Sequence, residues 1–468
     1  MEGNQGGPRA MASTFSSSSS DGDSRTAPLD GLRVVEIGSF LACPLTARHL
    51  LDLGASVTAV VRPESARGQR AEQAWRPETT RALRSGKDVV TLDLKSPAGQ
   101  EALDELLVAA DAVVVGFAPA VCRRLRLTAE RVHEVNPRAV LAHLPGFATG
   151  DAQRSKIEAW EASILAEAGV FRDMGINRQL AGKLASYSPL PLASSYASIF
   201  AALGVVSALR KRTTLPPGAA PRLSLEVPLA SALCDALVHN SLQHEVPEEY
   251  RSRRQRALDK QRAGEPLDYF ETLELTDPFF SHYTTADARP FYLVAPCHLR
   301  HQRRAIAVLG IEEQVAALGV PLAATYAASA VGANVPRHGF GAGQVGDDWA
   351  PKLRKLMRRA FLTRTAYEWE AAFGAAGVPG SAHRTTAEWL TCPHARAAGL
   401  VREDESGAVS PAAMTWVVQQ ELPPPPPSPS LPSPCRSPEG RPSSADAAPH
   451  FGGGAGGARR PAAVRPAA

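Results

Sequence analysis

Carboxylates, histidines, cysteines and basic side chains are the groups with which a protein does covalent or acid–base chemistry. Glu158, Glu161 and Glu167 fall close together around Ala159-Trp160-Glu161. A carboxylate can serve as a nucleophile, yet taken alone these read as ordinary helix glutamates, because Glu is a good helix former and carboxylates are mostly solvated. His143, His239, His298 and His301 share no helix-face spacing with a carboxylate partner, so they read as packing or surface histidines and no metal is expected. Cys297, in the run Phe291-Tyr292-Leu293-Val294-Ala295-Pro296-Cys297-His298, reads as a small apolar residue before a reactive thiol. Arg62, Arg67, Arg70, Arg84 and Lys87 follow strand-like segments, where a basic side chain can meet a phosphate. Each alone is more often a solvated charge.

A dinucleotide site is disfavoured by the first turn. It reads Gly38-Ser39-Phe40-Leu41-Ala42-Cys43-Pro44, with one glycine where the dinucleotide fingerprint uses three. Pro44 suits the first turn of a helix and not that phosphate loop. No P-loop, H-E-x-x-H, G-x-S-x-G or EF-hand pattern is present.

The elements that must carry these groups alternate in type. Arg33 to Ile37, Ser56 to Val61, Val89 to Leu92 and Ala112 to Val115 are apolar runs of strand length, separated by helical patterns at Leu41 to Leu53 and from Ser96-Pro97 through Leu107. Ser96 as cap with Pro97 at the first helical position is a strong helix start. Such alternation predicts an α/β fold: a Rossmann-like large domain with a parallel sheet and helical crossovers. A helix-rich, charged middle, a strand over Arg289 to Val294 and helices over Lys352 to Phe361 and Ala366 to Ala376 predict a smaller α+β domain. The expected boundaries are a disordered leader at 1–27, a large domain at 28–228, a small domain at 229–390, a segment returning toward the large domain at 391–421, and a disordered Pro/Gly/Ala-rich tail at 422–468.

Bulk properties agree with an intracellular globular protein. The chain has 468 residues, 44% of them hydrophobic, and a formal net charge of only +4, with no basic block to suggest nucleic acid. Six scattered cysteines form no disulfide or zinc framework, which points to a reducing compartment, cytoplasmic before any organelle. No apolar run near the roughly 20 residues of a membrane span is expected, and no membrane partner.

Four segments together resemble the class III CoA-transferase family (CaiB/BaiF type), which includes formyl-CoA:oxalate and carnitine CoA-transferases and α-methylacyl-CoA racemase. They are Pro28-Leu29-Asp30-Gly31-Leu32-Arg33-Val34-Val35-Glu36 with Leu50-Leu51-Asp52-Leu53-Gly54-Ala55; Ser85-Gly86-Lys87-Asp88-Val89-Val90-Thr91-Leu92-Asp93-Leu94; Asn136-Pro137-Arg138 with Pro145-Gly146-Phe147; and Phe361-Leu362-Thr363-Arg364-Thr365 with Glu368-Trp369, Gly377-Val378-Pro379 and Glu388-Trp389-Leu390. Their order matches the family over about residues 28 to 403.

The resemblance implies a CoA-transferase that uses acyl-CoA and a small carboxylic acid as substrates, with no tightly bound cofactor. It also implies a homodimer whose chains interlock like rings, although here the Pro-rich tail stands where the family's C-terminal stretch would be. Glu161, in Ala159-Trp160-Glu161, occupies the place of the family's nucleophilic aspartate, one methylene longer. Lys87, Arg62, Arg84 and Phe117 are the implied CoA contacts. Phe117 lies in Gly116-Phe117-Ala118-Pro119-Ala120, where the family's asparagine and arginine are replaced. The racemase branch needs two bases, but its two positions are Trp160 and Ser194 here, neither of which is a base near neutral pH. The alternative is a weak or inactive CoA-binding protein whose Pro-rich tail recruits partners.

Overall fold

The computed structural model describes the chain between residues 24 and 419, except for 39–40, 64–76, 158, 174–189, 217, 238–258, 261, 266–277, 296–297, 320–349, 404–406, 408 and 412–416. Glu158, Arg67, Arg70, His239, Cys297 and the expected tail at 422–468 lie outside the described residues.

The first elements alternate as the patterning predicts. Strand β1 (Arg33–Gly38) leads through α1 (Ala42–Asp52) to β2 (Ser56–Val61), and α2 (Pro77–Arg84) precedes β3 (Asp88–Thr91). Helix α3 (Pro97–Ala109) precedes β4 (Ala112–Gly116), and α4 (Ala129–Val135) precedes β5 (Val140–His143). Two helices, α5 (Glu161–Glu167) and α6 (Leu192–Thr213), come before β6 (Ser224–Glu226), which is followed by α7 (Leu229–Leu237). The six strands pair in parallel in the order β3-β2-β1-β4-β5-β6. That order reverses direction between β1 and β4, the switch point where α/β proteins open a crevice at the carboxyl ends of their strands.

Because successive side chains of a strand point to opposite faces, a sheet covered on both faces must be apolar throughout. Val34, Ala112, Val114, Val140 and Ala142 pack on one face with residues of α1 and α6. Val35, Ile37, Val113, Val115 and Leu141 pack on the other with Leu103, Leu107 and Val132. Ser96 caps α3 as its sequence predicts, accepting from the Gly99 N–H at 3.0 Å.

Two expectations are corrected. Ser24–Thr26, inside the supposed leader, form a strand that pairs antiparallel with Val417–Gln419. The expected lack of a long apolar run also fails: Leu192–Thr213 is long and apolar enough to cross a membrane. Its packing explains that composition, since Ala197, Ala201 and Val205 are fully buried against the sheet and α1.

The C-terminal half of the described residues contains a three-stranded antiparallel sheet. Its strands β7 (Phe280–Thr284), β8 (Pro290–Val294) and β9 (Gly380–Ala382) run in the order β9-β8-β7. Helices α8 (Leu299–Leu309), α9 (Ala350–Phe361) and α10 (Ala366–Ala375) supply its cover. Phe279, Phe291, Phe361, Trp369 and Phe373 form an aromatic core there, with Tyr283 stacked on Phe361 at 4.4 Å between ring centres.

Candidate functional site

Glu161 is the first residue of α5. The helix starts where it does because the Trp160 N–H donates to Ser163 Oγ at 3.0 Å, satisfying a donor that the helix itself leaves open. Ile164 and Leu165, one turn on, are buried beside Phe147, Ala193 and Leu233, which fixes α5 against the start of α6 and the body of α7. The chain can come this close because residue 146 is glycine: a Cβ there would run into the Cβ of Ala159.

The consequence is that Glu161 faces the N-terminus of α6. Helix α6 begins after Pro191, which offers no capping side chain. The Glu161 carboxylate takes that role from a distant part of the chain. Oε1 accepts from the Ala193 N–H at 2.8 Å, and Oε2 accepts from both the Ser194 N–H at 3.1 Å and Ser194 Oγ at 2.5 Å. Helix N-terminal N–H groups carry partial positive charge and favour an anion. Glu161 is therefore held in one orientation, partly buried, with Ser194 beneath it at 4% exposure. Trp160, next to it, is half exposed. Glu167, the other described glutamate of this stretch, points elsewhere and pairs with Arg154 at 2.6 Å.

The expected CoA contacts lie in different settings. Arg62 is exposed at the end of β2, and Arg84 is exposed at the end of α2. Phe117 is partly buried against the second face of the sheet, and its carbonyl accepts from His143 Nε2 at 2.8 Å. Lys87 is turned inward. Its side chain has 0% exposure, and its ammonium donates to Glu36 Oε2 at 2.6 Å and to the Pro44 carbonyl at 2.9 Å. A lysine in that position organises the turn at the start of α1 and does not offer its charge to a ligand at the surface. Sequence reading missed its partner, though a lone Glu36 inside an apolar strand is a signal, since a charge in a doubly covered sheet needs a counter-charge.

The single glycine of the first turn also has a packing role. A Cβ on Gly116 would come within 2.5 Å of the Cys43 Cβ, and one on Gly38 within 2.7 Å of its sulfur. Gly38 and Gly116, at the ends of β1 and β4, thus leave room for the Cys43 side chain. Burial pushes the Cys43 thiol well above its ordinary range, and pushes Cys122 up to about 11. Both thiols stay protonated, which removes them as nucleophiles at neutral pH. His143 reads as a packing histidine, held by the Phe117 carbonyl and 3.8 Å from Glu226. Among the described residues there is no group of three or more His, Cys, Asp or Glu placed to hold a metal ion.

Ser194 is the site residue that the sequence pointed to only indirectly, as the substituted position of a second base. Folding brings it against Glu161, 33 residues away.

The profile of CoA-transferase family III matches residues 29–433. CoA-transferase/lyase DddD of Marinomonas sp. (strain MWYL1) is 34% identical over 388 residues, which cover 81% of this chain and 44% of that protein. Formyl-CoA:oxalate CoA-transferase of Rhodopseudomonas palustris (strain TIE-1) is 30% identical over 191 residues, 40% of this chain and 44% of that one. The chain therefore spans less than half the length of these curated relatives. A crystal structure of a CAIB/BAIF family protein from Brucella suis shares the fold with a TM-score of 0.60 at 18% identity, covering 84% of this chain and 93% of that one. With the family profile running across its parallel sheet, Glu161 and its smaller antiparallel sheet, the chain belongs to CoA-transferase family III.

Proposed function

We propose that this protein moves CoA between an acyl-CoA thioester and a free carboxylic acid, with Glu161 as the nucleophile. The observation that carries the reading is the Glu161 carboxylate itself, partly exposed and oriented at the N-terminus of α6. In the proposed cycle a carboxylate oxygen attacks the thioester carbonyl, and the C–S bond breaks to release CoA thiolate and leave a mixed anhydride on Glu161. The thiolate then attacks the Glu161 carbonyl carbon, expels the first acid and leaves a Glu161–CoA thioester. An incoming acid reverses the two steps. Glutamate in place of aspartate moves the oxygens by on the order of 1 Å, a displacement that can cost roughly a hundredfold if the site does not follow it. Anchoring by α6 supports a site adapted to the longer side chain.

Arg62 and Arg84, exposed beyond β2 and α2, supply charge for the CoA phosphates in this reading, and Phe117 an apolar contact. Lys87 contributes by holding the turn before α1. The working protein is taken as a homodimer in a reducing intracellular compartment, and sedimentation as a single chain would correct the first part.

The test is to incubate the protein with acetyl-CoA and with succinyl-CoA, quench with hydroxylamine and determine peptide masses. A hydroxamate on the Glu161 peptide, and loss of CoA exchange in Glu161→Ala, are the expected results. Exchange undiminished in Glu161→Ala would overturn the assignment. A second reading has its own support, because three hydrogen bonds to α6 are also what a purely structural cap makes. It expects CoA binding with an unmodified Glu161 peptide.

A further inference from the structure

The two oxygens of Glu161 are not equivalent. Among the described residues, Oε1 accepts one hydrogen bond, from the Ala193 N–H, while Oε2 accepts two from a single residue, the N–H and the hydroxyl of Ser194. A lone pair already shared with two donors is a poor nucleophile, and the oxygen with one donor is the freer to attack. The same donors have the opposite effect once the carboxylate has been acylated, because the oxygen that remains a carbonyl collects negative charge whenever its carbon is attacked.

Resting on the nucleophile reading above, we infer that Oε1 is the attacking atom and that Ser194 is the oxyanion donor for the steps at the Glu161 carbonyl carbon. When CoA thiolate adds to that carbon in the mixed anhydride, the C–S bond forms and the carbonyl electron pair moves onto Oε2. There it meets the Ser194 N–H and hydroxyl, at donor distances of 3.1 and 2.5 Å in the resting carboxylate. Collapse restores the carbonyl, breaks the bond from the carbon to Oε1, and the departing acid leaves with that electron pair. No proton is transferred. Ser194 is 4% exposed, so these donors act with little competition from water. Its position at the third residue of a 22-residue helix adds the field of the helix N-terminus to the same oxygen.

The inference separates two steps that a merely structural serine would affect together. Attack by Glu161 on the incoming thioester withdraws charge from its carboxylate, so removing the Ser194 hydroxyl leaves this step as fast or faster. Attack on the Glu161 carbonyl places charge on Oε2, so that step slows, by about a hundredfold if the loss resembles that of other oxyanion donors.

The experiment compares wild type, Ser194→Ala and Ser194→Thr after rapid acid quench with succinyl-CoA and with acetyl-CoA, reading the Glu161 peptide by mass. The expected result is a shift in Ser194→Ala from the CoA adduct toward the acyl adduct, with Ser194→Thr, which keeps a hydroxyl, returning toward the wild-type ratio. Thermal melts of each variant establish that the compared proteins are folded. If Ser194→Thr does not fit its buried site, Ser194→Cys provides the second small variant with a weak donor, and its ratio should fall between those of wild type and Ser194→Ala. Adducts in the wild type whose ratio and rate are unchanged in Ser194→Ala, or lowered in equal proportion, overturn this inference and leave the nucleophile intact. A wild-type peptide with neither adduct overturns the proposed function and this inference with it.

Discussion

Replacing Lys87 by methionine isolates the effect of a buried charge. The change keeps a long flexible side chain but removes the ammonium that donates to Glu36 at 2.6 Å and to the Pro44 carbonyl at 2.9 Å. Side-chain exposures of 0% for Lys87 and 8% for Glu36 mean that water cannot replace the lost partner. Breaking a buried pair from one side leaves an uncompensated charge and costs about 3–5 kcal/mol, a third or more of the roughly 5–15 kcal/mol by which proteins are stable. Urea unfolding of Lys87→Met should therefore show a midpoint well below wild type with a similar slope. The double variant Lys87→Met with Glu36→Leu removes both charges and should recover most of the loss, because apolar replacement of a whole buried pair is often close to neutral. Binding of CoA by the folded fraction should be little changed. A single variant within about 1 kcal/mol of wild type and with sharply weakened CoA binding would refute this account and return Lys87 to the role of a phosphate contact.

Other consequences follow from the same geometry. Arg384 holds the Glu370 carboxyl down to about 2, and Arg289 does the same for Glu388, against an ordinary value of 4.5. Since the folded values lie below the unfolded ones, the stabilisation is present above about pH 4.5 and is lost as pH falls toward 2. Glu370→Gln should flatten that acid limb in a series of thermal melts, and an unchanged pH dependence would contradict the pairing. Gly146→Ala places a Cβ against that of Ala159, two residues before Glu161. Overpacking of this kind costs typically about 1–3 kcal/mol, and CoA exchange should fall more than the melting temperature alone predicts. Normal exchange in this variant would mean that α5 does not depend on the close approach.

The alternating apolar runs determined the parallel sheet, since a strand buried on both faces must be apolar throughout and the helices between such strands must cross over. The local signals at Ser96-Pro97 likewise determined where α3 begins, because a cap acts within one turn of its own helix. Family resemblance singled out Glu161 as the candidate nucleophile. The sequence could not show which groups Glu161 would meet. Its donors come from 32 and 33 residues further along the chain, and a backbone N–H has no signature in side-chain type. The apolar run of α6 was misjudged for a related reason, because burial against a sheet and burial in a membrane call for the same composition. Lys87 shows the division most plainly. Its motif was legible as a segment, but a lysine written in a loop looks the same whether its ammonium faces solvent or Glu36. Only the packing of β1, α1 and β3 turned that charge inward.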